Sequence, residues 1–130
     1  MKTTKKHFDV FEKECRRWIK IFGLYGYEWE IVHENTKERN NLATTTFNCV
    51  DRWARIRLNT DWGTYPITER NLRLTALHEV VEGGLFGKMR DIAEGRWGYD
   101  KYDYDEAVHE VIRIFENVIF ERFEDGNRSK

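Results

Sequence analysis

The stretch "LTALHEVVEGG", residues 74–84, holds the side chains in this chain best suited to chemistry. On an α-helix successive residues turn by about 100°, so Glu82 lies about 40° around from His78 and Glu79 about 100° around, and all three face one side. An imidazole and a carboxylate one turn apart are two ligands for an ion such as Zn2+. In the helical metal-binding pattern His-Glu-x-x-His the second ligand is an imidazole, and the glutamate between the two accepts a proton. Here the run reads His78-Glu79-Val80-Val81-Glu82, with a carboxylate where that imidazole would stand.

A tetrahedral site that keeps one position open needs three protein ligands, so a distant segment must supply the third. His109 lies about 60° around from Ile112 in the last helical segment, at the edge of its apolar stripe, and can point along the seam toward a neighbouring helix. His78, Glu82 and His109 then form a His₂Glu set for one Zn2+, and Glu79 is left as the candidate catalytic base. Asp105, one turn before His109, is the residue that would close the site as a fourth ligand. Two His and one carboxylate also suit non-haem iron; the helical placement and the base Glu79 argue for zinc. Glu106 and His109 form a Glu-x-x-His pair of the kind that binds two metals in four-helix bundles, but too few long helices are predicted here for that architecture.

Those residues must be held by elements that the hydrophobic pattern announces. Phe8, Phe11, Cys15, Trp18, Ile19 and Phe22 recur at spacings of three and four, predicting a helix over about residues 4–22 that ends near Gly23 and Gly26. In "YEWEIVHE" Tyr27, Trp29, Ile31 and His33 alternate with Glu28, Glu30, Val32 and Glu34, the period of a half-buried strand, and His33 is read as a strand-face residue rather than a ligand. "LATTTFNCV" and "WARIRLN" read as two more strands, with Ala54, Ile56 and Leu58 on a packed face and Arg55 and Arg57 on a wet one. Consecutive hairpins would make these a three-stranded antiparallel meander. Thr68 is a plausible N-cap for the helix that carries the motif, with Glu69 favouring its positive end. Leu77, Val80, Val81 and Gly84 cover the arc opposite the polar triplet. Gly83 and Gly84 are expected to end or kink this helix, with a second helical stretch from near Leu85 to Ala93. From about Asp103 to Phe123 one long helix follows, with Val108, Val111, Ile112, Phe115, Val118, Ile119 and Phe123 as its core stripe. The fold class expected is therefore α+β: N-terminal helix, three-stranded antiparallel sheet, active-site helix and long C-terminal helix.

This order, with its "ALHEVVE" helix and a final helix bearing "EAVHEVIRIFEN", resembles the minimal zincin-like metallopeptidases, in particular small phage-encoded proteins with His-Glu-x-x-Glu in place of His-Glu-x-x-His. The resemblance runs from the first strand onward and rests on His78, Glu79, Glu82 and His109. It implies one zincin-like domain over residues 1–130 and zinc-assisted hydrolysis of an amide, with Glu79 taking a proton from the attacking water. It also implies a peptide or protein substrate, and that the strand before the active helix, "WARIRLNTDW", borders the substrate cleft. Tyr65, Tyr99, Tyr102, Tyr104 and Arg113 are candidates for the oxyanion donor such a reaction needs. The competing reading is a non-catalytic protein, with any metal serving structure, that binds a host or viral protein.

Composition narrows the field further. A chain of 130 residues with 15% aromatic and 35% charged residues can bury one core beneath a solvated surface. Its formal net charge of -1 supplies no global field for nucleic acid. Lys13, Arg16, Arg17 and Lys20 make a local basic stripe that reads as a solvated helix face. Cys15 and Cys49 form no Cys-x-x-Cys pair and are read as reduced, buried thiols. No apolar run resembles a signal peptide or a membrane span, so a cytoplasmic protein is expected, in the host cytoplasm if phage-encoded.

Overall fold

A computed structural model describes residues 1–38, 40–48, 50–87, 89–90 and 101–123, the side chains of 101–104 excepted. Helix α1 spans Lys5–Ile21. Strands β1 (Glu28–His33), β2 (Ala43–Asn48) and β3 (Trp53–Leu58) follow, then α2 (Glu69–Val80), which runs into a single π-helical turn, Val81–Leu85. Helix α3 covers Lys101–Phe115 and passes into a second π turn, Glu116–Phe120. This is the expected α+β arrangement of an N-terminal helix, a three-stranded sheet, a motif helix and a C-terminal helix. Cys49 and the expected helix end at Ala93 lie outside the described residues.

Helices α1 and α2 start where side chains can satisfy their free amides. Thr4 accepts from His7 N while its own N–H donates to His7 Nδ1, closing both ends of a capping box. Thr68 caps α2 by accepting from Asn71 N at 3.1 Å, as its position before Glu69 suggests.

The sheet is mixed rather than antiparallel. Its order is β1-β3-β2, with β1 parallel to β3 and β2 antiparallel to it. The expected meander placed chain neighbours side by side, but the 34–42 link carries the chain across the end of β3 instead of turning back in a hairpin. Asn59, 2% exposed just past β3, explains how that link is held. Its Oδ1 accepts from Thr36 N at 3.4 Å and its Nδ2 donates to Asn41 O at 2.6 Å, which fixes the link at both ends. Its backbone N–H also donates to Leu42 O at 3.0 Å. The strand with the most apolar inner face thereby takes the central place: Ala54, Ile56 and Leu58 are fully covered.

The register sorts the two faces as the alternation predicts. Trp29, Ile31 and His33 stand beside Ala54, Ile56 and Leu58, which stand beside Phe47, Thr45 and Ala43. This face meets the helices. On the other, Arg55 pairs with Glu30 and Arg57 with Glu34 in water. His33 stacks on Phe8 at 5.3 Å, and its Nε2 lies 2.7 Å from Thr3 Oγ1, which itself donates to the Asn59 carbonyl. Burial and nearby His7 lower its pKa, and it takes no part in the motif site.

Between sheet and helices the core gathers Phe11, Cys15 and Trp18 of α1, Leu72, Ala76, Leu77 and Val80 of α2, and Val108, Ile112 and Phe120 at the C-terminal end. The stripe expected on the last helix is corrected here. Val111, Val118 and Phe123 are 36%, 56% and 40% exposed, and Phe120 is in the core instead. The π turn at 116–120 inserts extra residues per turn and rotates everything after it, so a constant 100° period misplaces Val118, Phe120 and Phe123; Val111 precedes the turn and is not explained by it. Among the described residues no helix is long and apolar enough to cross a membrane.

Candidate metal centre

His78 sits in the last turn of α2, and Glu82 in the π turn that follows. The turn is pressed against the sheet by glycines that have no room for a side chain. A Cβ on Gly83 would come within 2.5 Å of Thr45 Cγ2, and one on Gly84 within 2.5 Å of Leu24 Cδ1. As expected, the helix changes its winding and ends close to these glycines: the π turn closes at Leu85, with Phe86 as its cap, and Glu82 keeps its place beside His78. The His78 Nε2 to Glu82 Oε2 distance is 3.1 Å.

His109 on α3 reaches the same point. Its Nε2 lies 3.8 Å from Glu82 Oε1, its ring centroid is 5.4 Å from that of His78, and one ligand atom from each of His78, Glu82 and His109 falls within 4.8 Å of the others. A partly buried His-Glu-His cluster capable of chelating a metal ion is thus present in this α+β fold.

The donor set is suited to an ion of zinc's type. His109 Nδ1 lies 2.7 Å from the Asp105 carbonyl oxygen. A carbonyl only accepts, so Nδ1 carries a proton and Nε2 is the ring nitrogen turned toward the cluster. His78 Nδ1 faces Glu116 Oε1 at 3.1 Å, a carboxylate behind the ring of the sort that orients metal-bound imidazoles. Glu116 escaped the sequence reading. Its only signal is its place two turns beyond His109, and the π turn obscures it.

Without an ion, a proton fills the gap between His78 and Glu82. Burial pulls the His78 pKa down most strongly, but the carboxylates of Glu116 and Glu82, one at each ring nitrogen, carry it up to about 10. Burial likewise works against the Glu82 carboxylate, yet His78, Arg90 and His109 hold its pKa below the ordinary value.

Glu79 is not one of the three converging ligands and is 6% exposed. Thr45 on β2 donates its hydroxyl to Glu79 Oε2 at 2.6 Å. Burial, helped by the charge of Glu82, lifts the Glu79 pKa to about 8. A cleft of about 330 Å³ opens beside it, walled by Asn41, Leu42 and Ala43 at the start of β2, by Tyr65 and Thr75, and by His78, Glu79 and Glu116. The strand bordering this cleft is β2, not the expected "WARIRLNTDW" strand. β3 is paired on both sides and has no free edge to offer.

Of the candidate oxyanion donors, Tyr65 lines the cleft, while Arg113 is exposed on α3. Tyr99 and the side chains of Tyr102 and Tyr104 lie outside the described residues. Asp105 does not join the three ligands: its Oδ1 lies 3.2 Å from Arg90 Nε. Glu106 is exposed and stands apart from the cluster. Comparison with protein-family models, with curated proteins and with solved structures found no match.

Proposed function

We propose that this protein is a zinc-dependent hydrolase of peptide bonds, with His78, Glu82 and His109 as the metal ligands and Glu79 as the general base. The observation that carries the reading is the convergence of three ligand atoms from two helices within 4.8 Å, with both imidazoles oriented from behind at Nδ1. A bound zinc would polarise the scissile carbonyl and acidify a water. With three protein ligands and Asp105 turned to Arg90, one coordination position is left for those groups.

The chain's own residues supply the rest. Glu79 is held by Thr45 on the wall of the cleft, and its raised pKa lies near the working range of a general base. Part of that elevation comes from the negative charge of Glu82, so an ion bound by Glu82 draws Glu79 back toward its anionic, proton-accepting form. β2 is an edge strand beside the cleft, and an extended peptide can add to such an edge through backbone hydrogen bonds. Tyr65 lines the same cleft as His78 and Glu79 and is the candidate donor to a developing oxyanion.

Incubating the zinc-loaded protein with a panel of unstructured peptides, with and without chelator, tests this. The expected result is cleavage that chelation abolishes and zinc restores. Zinc bound with no cleavage across the panel would favour the competing reading, in which the metal only stabilises a protein that binds another protein.

A further inference from the structure

A glutamate in the second ligand position brings a negative charge and a second oxygen that an imidazole lacks. The structure shows what takes up both. Arg90 Nη2 donates to Glu82 Oε1 at 3.2 Å, the oxygen that also lies 3.8 Å from His109 Nε2, while Glu82 Oε2 faces His78 at 3.1 Å. The same guanidinium sets Nε 3.2 Å from Asp105 Oδ1, and the Asp105 carbonyl oxygen accepts from His109 Nδ1. Arg90 is only 18% exposed, and neither its Nε nor Asp105 Oδ1 has an aligned hydrogen-bond partner, so the contact between them is an ion pair within a crowded wall.

We propose that Arg90 is the positioning residue that makes Glu82 behave as a one-oxygen ligand: it withholds Oε1 and offsets the carboxylate charge, leaving Oε2 for the ion. This rests on the metal site proposed above. A free carboxylate can bind an ion through both oxygens, which fills the position a substrate carbonyl would need. An arginine on one oxygen prevents this, since a guanidinium is charged at every working pH and donates in a fixed fork. Through Asp105 the same side chain also ties the segment after the π turn to the start of α3, next to His109.

Cobalt(II) reports the coordination number directly, because its visible absorption is intense in four-coordinate sites and weak in sites with more ligands. We would titrate Co2+ into the wild-type protein and into R90K, R90Q and R90M, recording absorbance per bound cobalt and, by circular dichroism, whether each variant is folded. Wild type is expected to give an intense band. R90M is expected to bind cobalt but lose that intensity severalfold, as Oε1 joins the ion; R90K, which keeps a charged donor, should retain most of it. R90Q keeps a donor without the charge and should lose intensity as R90M does. An unchanged band in folded R90M, or in R90Q should R90M not fold, overturns the role of Arg90 alone. Failure of the wild type to take up cobalt overturns the site itself, and the inference with it.

Discussion

At the residue scale the two glutamates of the motif have different environments and so different expected phenotypes. Glu82 faces two imidazoles and a guanidinium, whereas Glu79 faces a threonine hydroxyl and the cleft. Glu79→Gln preserves shape but cannot accept a proton. It should leave zinc affinity essentially unchanged while turnover falls by about 10²–10⁴-fold. Equal activity in the variant and wild type would remove Glu79 from the chemistry. The His78 proton gives a second prediction. Its folded pKa is raised from 6.5 to about 10, so its stabilising contribution is full below about 6.5 and is lost as pH rises toward 10. Glu79, raised from 4.5 to about 8, adds a loss of the same sign over that lower window, because the folded state holds the extra proton. The lowered pKa of Glu82 acts oppositely, below 4.5. The metal-free protein should therefore melt progressively lower from about pH 6 to pH 9. Zinc affinity should rise over the same range, because the ion must displace the proton between His78 and Glu82. Calorimetric titration at pH 8 in buffers of different ionisation enthalpy should show proton release on binding; a pH-independent affinity would contradict it.

At the scale of elements, the site depends on a helix that changes its winding beside a sheet. Gly83 lies against Thr45, whose methyl leaves no room for a Cβ. Gly83→Ala should cost about 1–3 kcal/mol in urea unfolding, as overpacking does, and should weaken metal binding by displacing Glu82. Adding Thr45→Ser removes that methyl but keeps the hydroxyl on Glu79, and should recover most of both losses. A G83A protein as stable as wild type would mean that the π turn does not need its glycine. Periodicity made His78, Glu82 and His109 legible as neighbours, since a fixed angle per residue places the first two on one face and puts the third at a seam. The same rule failed past Phe115, where the second π turn changes the angle and brings Phe120 inward. Arg90 had no legible signal at all, because its place depends on how the chain leaves the glycines. The strand order was lost for a related reason. Alternation tells which face a residue takes but not which strand lies beside it, and the side-chain bonds of Asn59 to Thr36 and Asn41 are invisible to a local pattern.

At the scale of the whole molecule, a bound ion would join α2 and its π turn to α3, which among the described residues are tied near the site by Glu116 to His78, His109 to Glu82, and Arg90 to Glu82 and Asp105. An ion that binds only the folded chain stabilises it by about 2.7 kcal/mol at a free concentration 100 times Kd. Zinc should therefore raise the melting temperature, and chelator should reverse the rise. The sheet's outer face, with its Arg55–Glu30 and Arg57–Glu34 pairs, lies on the far side from the cluster and should be indifferent to the ion. The central claim is that one ion is held jointly by His78, Glu82 and His109, and zinc stoichiometry of protein purified without chelator tests it most directly. The account predicts one zinc per chain in the wild type and its loss in His109→Ala, a variant distant in sequence from the motif. Full zinc content in a folded His109→Ala protein, or none in the wild type even after zinc is supplied, would contradict it.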